Sequence, residues 1–323
     1  FIFRFQFRLA ERLKRKKFIM SYWQLYGFGA GVTTMFHPIG YAKVLIQIGH
    51  EPIEPTISST IFGKDKLYYP NVFQYISYIK RTDGFFGMYR GLFPRILGGF
   101  VGTAVQNKAN EYFKPAQLQK EETEKKEEKD EALVDWLKTL AKETSQESVS
   151  RCLGLIASQP FHVVMLRSMA QFVGGEKHYS GVYTGLVEIY QTDGIRGFFA
   201  GIVPRIIGEF IAIWLTNIIA GLLNKYFIDS KEMKSYTHAL CGLFISMVTY
   251  PFQLVSNIMG VNEAELVASP SPKYKNWKDC WSQLSQQGQL KRGSSIFFRQ
   301  YNGPVLNRGG KIYPARSHMF VHH

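Results

Sequence analysis

The chain has 323 residues, 46% of them hydrophobic and 15% aromatic, and its 39 Lys and Arg against 25 Asp and Glu give a formal net charge of +14. The basic residues are scattered through loops between apolar stretches and build no aromatic-interleaved face, which excludes a nucleic-acid-binding module and points the charge at an anionic membrane surface. Cys152, Cys241 and Cys280 form no Cys-x-x-Cys pair, and His37, His50, His162, His178 and His238 follow no zinc spacing, so no metal, cofactor or catalytic constellation is expected and the chain is read as a non-enzyme.

Residues 1–19, from Phe1 through the basic run Lys14-Arg15-Lys16-Lys17, read as a leader or artefact ahead of a start at Met20. The first apolar stretch, Tyr22–Ile48, is long enough to cross a bilayer core of roughly 30 Å. It contains Pro38, and it sets Gly27 and Gly31 four apart, a spacing that lets membrane helices approach closely. A loop with Pro52 and Pro55 follows, and then Val72, Phe73, Ile76 and Ile79 take the spacing of a surface-lying amphipathic helix. Next comes Asp83-Gly84-Phe85-Phe86-Gly87-Met88-Tyr89-Arg90-Gly91-Leu92-Phe93-Pro94-Arg95. Here Gly84 is expected to stop one helix at positive φ, and Pro94 to open the next, where no N–H is needed. Arg95–Phe113, with Gly98 and Gly102 four apart, is a weaker second span because Gln106, Asn107 and Lys108 interrupt it. These pieces make a first repeat over 20–116.

Residues 117–131 are a mixed-charge run with no apolar face, and 117–147 reads as a charged linker or exposed helix. The second repeat, 148–230, restates the first: Ser148–Val173 holds Pro160; Val182, Leu186 and Ile189 mark the amphipathic helix; and Asp193, Gly194, Gly201, Pro204 and Arg205 recur 110 residues after their counterparts (193 − 83), leading into the span Arg205–Phe227. The third repeat, 231–300, is incomplete. Tyr236–Val261 holds Pro251, Trp277, Cys280, Trp281 and Leu284 mark the surface helix, and Lys291-Arg292-Gly293 falls 92 residues after Gly201 (293 − 201). No apolar run follows it, only a polar tail over 301–323, so five spans are expected and the sixth is missing.

Three repeats of proline-bearing span, amphipathic helix, Asp-Gly…Gly-x-x-Pro-Arg and second span resemble the mitochondrial carrier family. The resemblance implies an all-α membrane protein, a three-repeat carrier-like bundle lacking the sixth transmembrane helix. Transporting members place an acid two residues after each odd-helix proline and a base five after it. Here Gly40, His162 and Gln253 stand at the acid positions and Lys43, Met165 and Ser256 at the base positions, so an ion-pair gate lacks its negative half. Polar groups inside spans are costly and therefore functional candidates. Lys43, Arg167, Glu209, Asn217, Tyr250 and Asn257 are expected to line a groove, against plainer readings in which Lys43 snorkels to the interface and Glu209 pairs with Arg205 one turn away.

For a divergent member, the resemblance implies an outer mitochondrial membrane insertase that passes tail-anchored α-helical clients along a lipid-facing groove and docks the pro-apoptotic protein Bid. Its partners would be those clients, a Bid-type protein and membrane lipids, with no nucleic acid. Passage of phospholipid head groups through the same groove, as in a scramblase, is the alternative. Residual solute exchange is the third reading.

Overall fold

A computed structural model of the chain describes residues 27–59, 65–124, 133–228, 230–301, 303, 305–308 and 311–314. The expected leader, 1–19, and most of the tail lie outside the described residues. The chain is mostly helical: α1 (27–48), α2 (Val72–Gly87), α3 (Leu92–Glu124), α4 (Leu133–Ala170), α5 (Val182–Gly197), α6 (Ile202–Tyr226), α7 (Lys231–Asn262) and α8 (Trp277–Gln286). Among the described residues three helices are long and apolar enough to cross a membrane: Leu133–Ala170, Ile202–Tyr226 and Met233–Asn262 within α7. The spans expected at α1 and α3 do not reach that apolarity among the described residues, because Thr33, Lys43 and Gln47 on α1 and Arg95 and Gln106 on α3 face an internal cavity. The expected linker is helical on both sides of 125–132: α3 runs on to Glu124, and α4 begins at Leu133.

The repeat motif gives each repeat the same corner. Gly84 and Gly194 take φ of 76° and 65°, Gly91 and Gly201 take 74° and 72°, and in the third repeat Gly288 and Gly293 take 66° and 76°. The expected helix stop is a kink, since α2 and α5 bend at Gly84 and Gly194 and continue to Gly87 and Gly197. Pro94 and Pro204 sit in the first turns of α3 and α6, as their missing N–H allows. Gly201 is fixed twice over, by its left-handed backbone and by the Ser256 carbonyl, with which any side-chain carbon there would collide. Ser256 Oγ in turn donates to the Gly201 carbonyl at 2.8 Å, tying α7 to the second repeat's corner.

The core lies where α1, α4 and α7 end against α2 and α5, and it includes Tyr41, Leu45, Tyr75, Ile79, Leu166, Met169, Ile189 and Val261. Toward the other end the helices bury less: Leu240, Leu243, Phe244, Met247 and Val248 of α7 are exposed, with Met247 at 70%, as befits a surface solvated by lipid. Cys280 is enclosed in the packing of α7 and α8, and burial raises its thiol to about 12, so it is an inert core residue.

The chain is mostly helical as expected, but two small sheets are added to the helices. The loop after α1 forms a hairpin of β1 (Thr56–Ser59) and β2 (Asp65–Tyr69), and β3 (Arg299–Gln300) adds to its edge, with Tyr68 opposite Gln300 and Tyr69 opposite Arg299. Strands of two to five residues hold too few alternations for a period-two signal, and the β3 partner lies over 200 residues away in sequence. Arg299 secures the join. It pairs with Glu51, donates to the Pro70 carbonyl at 3.0 Å and stacks over Tyr69 with its guanidinium 5.1 Å from the ring, and burial lowers its pKa to about 10. Beyond it, β4 (Val305–Arg308) pairs antiparallel with β5 (Lys311–Pro314) inside the expected polar tail.

Candidate functional site

Along α4, Thr144, Ser148, Arg151, Leu155, Ser158 and His162 recur every three or four residues and so share one face of the helix. Eighteen residue steps at about 1.5 Å each make this face about 27 Å long, close to the roughly 30 Å of a bilayer core. Most of its members are polar, in a helix otherwise apolar enough to span, and other helices answer them. At the N-terminal end Asn217 of α6 donates to Thr144 Oγ1 at 3.2 Å and to Glu147 Oε2 at 2.8 Å, and shares a 2.9 Å hydrogen bond with His238 of α7. In the middle Arg151 donates to Glu209 Oε1 at 2.6 Å and to Gln106 Oε1 at 3.2 Å. At the far end Arg205 donates to Gln159 Oε1 at 2.6 Å, and His162 lies 3.3 Å from Asn257 Oδ1.

From Arg151 to His162 this face opens onto a cavity of about 490 Å³ between α1, α3, α4, α6 and α7, while Thr144 and Ser148 are buried outside it. Four cations line it, Lys43, Arg95, Arg151 and Arg205, and no Asp or Glu does. Gly98, Gly99, Gly102 and Gly154 form much of the remaining wall, and bare glycine leaves the space open. Gly102 and Gly154 also bring α3 against α4, since a side-chain carbon at either would meet the other's carbonyl at 3.1 Å or 2.8 Å. Glu209 offsets Arg151. Among the described residues no carboxylate lies within ion-pair distance of Lys43 or Arg95, and Lys43 Nζ rests 5.2 Å over the Tyr250 ring. The cavity is therefore polar and electropositive, which favours anionic or dipolar groups entering it.

Of the residues expected to line a groove, Lys43 and Asn257 line this cavity. Glu209 stands at its edge through Arg151, and Tyr250 stands behind Lys43 and accepts from Gln47 Nε2 at 2.9 Å. Asn217 belongs to the N-terminal end of the α4 face. Arg167 stands elsewhere: it is fully buried, paired with Asp193 of α5, and donates to the Gly260 carbonyl at 3.1 Å and to the Tyr179 hydroxyl at 3.3 Å. It is a structural tie between α4, α5 and α7. The one-turn pairing of Glu209 with Arg205 is also replaced, because Arg205 turns to Gln159 and leaves Glu209 to Arg151. Gly40, His162 and Gln253, at the acid positions of the absent gate, do face the cavity.

Gln47, Gln106 and Arg151 are not among the residues that the sequence nominates for the groove, although Gln47 stands one turn after Lys43, Gln106 opens the polar run Gln106-Asn107-Lys108, and Arg151 interrupts a stretch whose neighbours are apolar or small.

Comparison with known proteins agrees with the repeat structure. A family model described as "Mitochondrial carrier protein" matches residues 24–121 and 148–231. Among similar proteins, "Mitochondrial carrier homolog 2" of Mus musculus is 43% identical over 285 residues, covering 84% of this chain and 92% of that protein. The Homo sapiens protein of the same name is 41% identical over 289 residues, with the same coverage. "Mitochondrial carrier homolog 1" of Mus musculus is 38% identical over 297 residues, covering 84% of this chain and 75% of that protein.

Proposed function

The chain belongs to the mitochondrial carrier family, and from that premise we propose that it passes hydrophilic groups across the outer mitochondrial membrane along α4, inserting tail-anchored α-helical proteins, instead of exchanging solutes. The observation that supports this most is the polar face of α4, nearly as long as the bilayer core is thick, whose Arg151–His162 part opens onto a 490 Å³ cavity. A client helix is apolar and at home in lipid, so the barrier to insertion is its short hydrophilic end. A polar path beside lipid lowers that barrier with no binding of the apolar part. Solute exchange needs a gate that seals alternately on both sides, and Gly40, His162 and Gln253 supply no acid for one.

The cation excess in the cavity supports a second reading, flipping of phospholipids whose head-group phosphates are drawn to Lys43, Arg95 and Arg205. Purified protein in liposomes separates the readings. Client insertion without counter-exchange of nucleotides or keto acids is the expected result, head-group flipping faster than client insertion would favour the second reading, and robust counter-exchange would overturn both.

The same proposal includes five crossings, α1 and α3 spanning beside the three more apolar helices. Phe28, Met35 and Phe36 of α1 and Phe93 and Phe100 of α3 are exposed, which suits lipid contact on the sides turned away from the cavity. An odd number of crossings puts tags at Met20 and His323 on opposite sides of the membrane. Protease should therefore remove one and spare the other on intact mitochondria, and equal removal would refute the count.

A further inference from the structure

The corner after each surface helix is locked differently in the three repeats. In the first, Arg90 Nη2 donates to Asp83 Oδ1 at 2.7 Å within the same motif. In the second, Ala200 takes the place of that arginine and Asp193 is held by Arg167. In the third the arginine is kept, as Arg292, and the acid is gone: Gln287 precedes the positive-φ Gly288 where Asp83 and Asp193 precede theirs.

With Gln287 in place of that acid, Arg292 reaches across to the first repeat. Its Nε and Nη2 donate to the Gln47 carbonyl at 2.9 and 2.6 Å, in the last turn of α1, where unpaired carbonyls and the helix dipole favour a cation. The Arg292 carbonyl accepts from the Tyr250 hydroxyl at 2.6 Å. That hydroxyl accepts from Gln47 Nε2 at 2.9 Å, and Gln47 Oε1 accepts from Asn257 at 2.8 Å. Gly293 allows the approach: its φ is 76°, and a side-chain carbon there would sit 3.0 Å from Gln47 Cγ and 3.1 Å from the Tyr250 hydroxyl. Gln47, Asn257 and His162 all line the cavity at the end of the bundle that carries α2, α5 and α8.

We infer that Arg292 is a positioning residue which draws the end of α1 against α7, and so closes the cavity at that end with an uncharged hydrogen-bonded floor. Polar groups then enter from lipid or from the Thr144 and His238 end, and no water-filled pore runs through. This rests on the reading of the cavity as the hydrophilic path.

The test is iodide leak from proteoliposomes, with lipid flipping and client insertion measured in the same vesicles. Arg292→Ala should raise iodide leak about tenfold over wild type, the change in open population expected on losing a charged hydrogen bond. Arg292→Lys, which still donates to the Gln47 carbonyl, should stay near wild type. Gly293→Val, which keeps Arg292 but forces Gln47 and Tyr250 apart, should leak as Arg292→Ala does and guards against a variant that fails to fold. Folded Arg292→Ala or Gly293→Val protein with wild-type leak overturns the clasp, as does a leak equally high in Arg292→Lys. Absence of insertion and flipping in the wild type overturns the path reading instead.

Discussion

Arg167→Ala is expected to be the most damaging single substitution in the described part of the chain, lowering stability by about 3–5 kcal/mol, the usual consequence of removing one partner from a buried ion pair. The guanidinium is 0% exposed and holds Asp193, the Gly260 carbonyl and the Tyr179 hydroxyl together. Without it the Asp193 carboxylate, only 12% exposed, keeps its desolvation cost and loses its counter-charge. The double variant Arg167→Met, Asp193→Leu should recover most of the loss, since it leaves no charge stranded. Thermal melting in detergent measures both. An Arg167→Ala protein that melts with the wild type would mean that this tie between α4, α5 and α7 is not formed.

The second large effect is on passage through the cavity. A client with a basic end is repelled by the cations on the path, and Lys43→Glu places an acid where nothing now offsets Lys43 and Arg95. With an effective dielectric near 20 and separations of several ångströms, the change is on the order of 1–3 kcal/mol, about 5- to 150-fold in rate. Glu209→Arg acts in the opposite sense, removing the carboxylate that Arg151 holds at 2.6 Å and adding a further cation beside it. Basic-ended clients should therefore insert faster with Lys43→Glu and slower with Glu209→Arg, and acidic-ended clients should show the reverse order. A uniform loss across all clients would indicate general destabilisation, and no change in either variant would remove both residues from the path.

Much of the fold was legible because its markers are local. A glycine at positive φ, a proline in a first turn and an apolar run of membrane length each declare themselves within a few residues, and their recurrence 110 residues apart ruled out coincidence. Asn257 and Lys43 stand out in the sequence as polar groups in apolar spans, and both line the cavity. The partners were not legible. Spacing offered Glu209 a cation one turn away at Arg205, but Gln159 on a neighbouring helix took Arg205 and Arg151 took Glu209. Arg167 was misplaced for a related reason, since its acid sits in the surface helix and not in a span. The hairpin stayed hidden because β2 is completed by β3 from the opposite end of the chain.

Asp83 with Arg90, Asp193 with Arg167, and Arg292 with a bare carbonyl are three fastenings of unlike strength and chemistry at three corners of common ancestry. A machine that rocks between two postures needs its corners to let go in concert, as equal links in a ring. Ties this unequal do not release together, so each of the three corners holds its own helix ends independently of the other two.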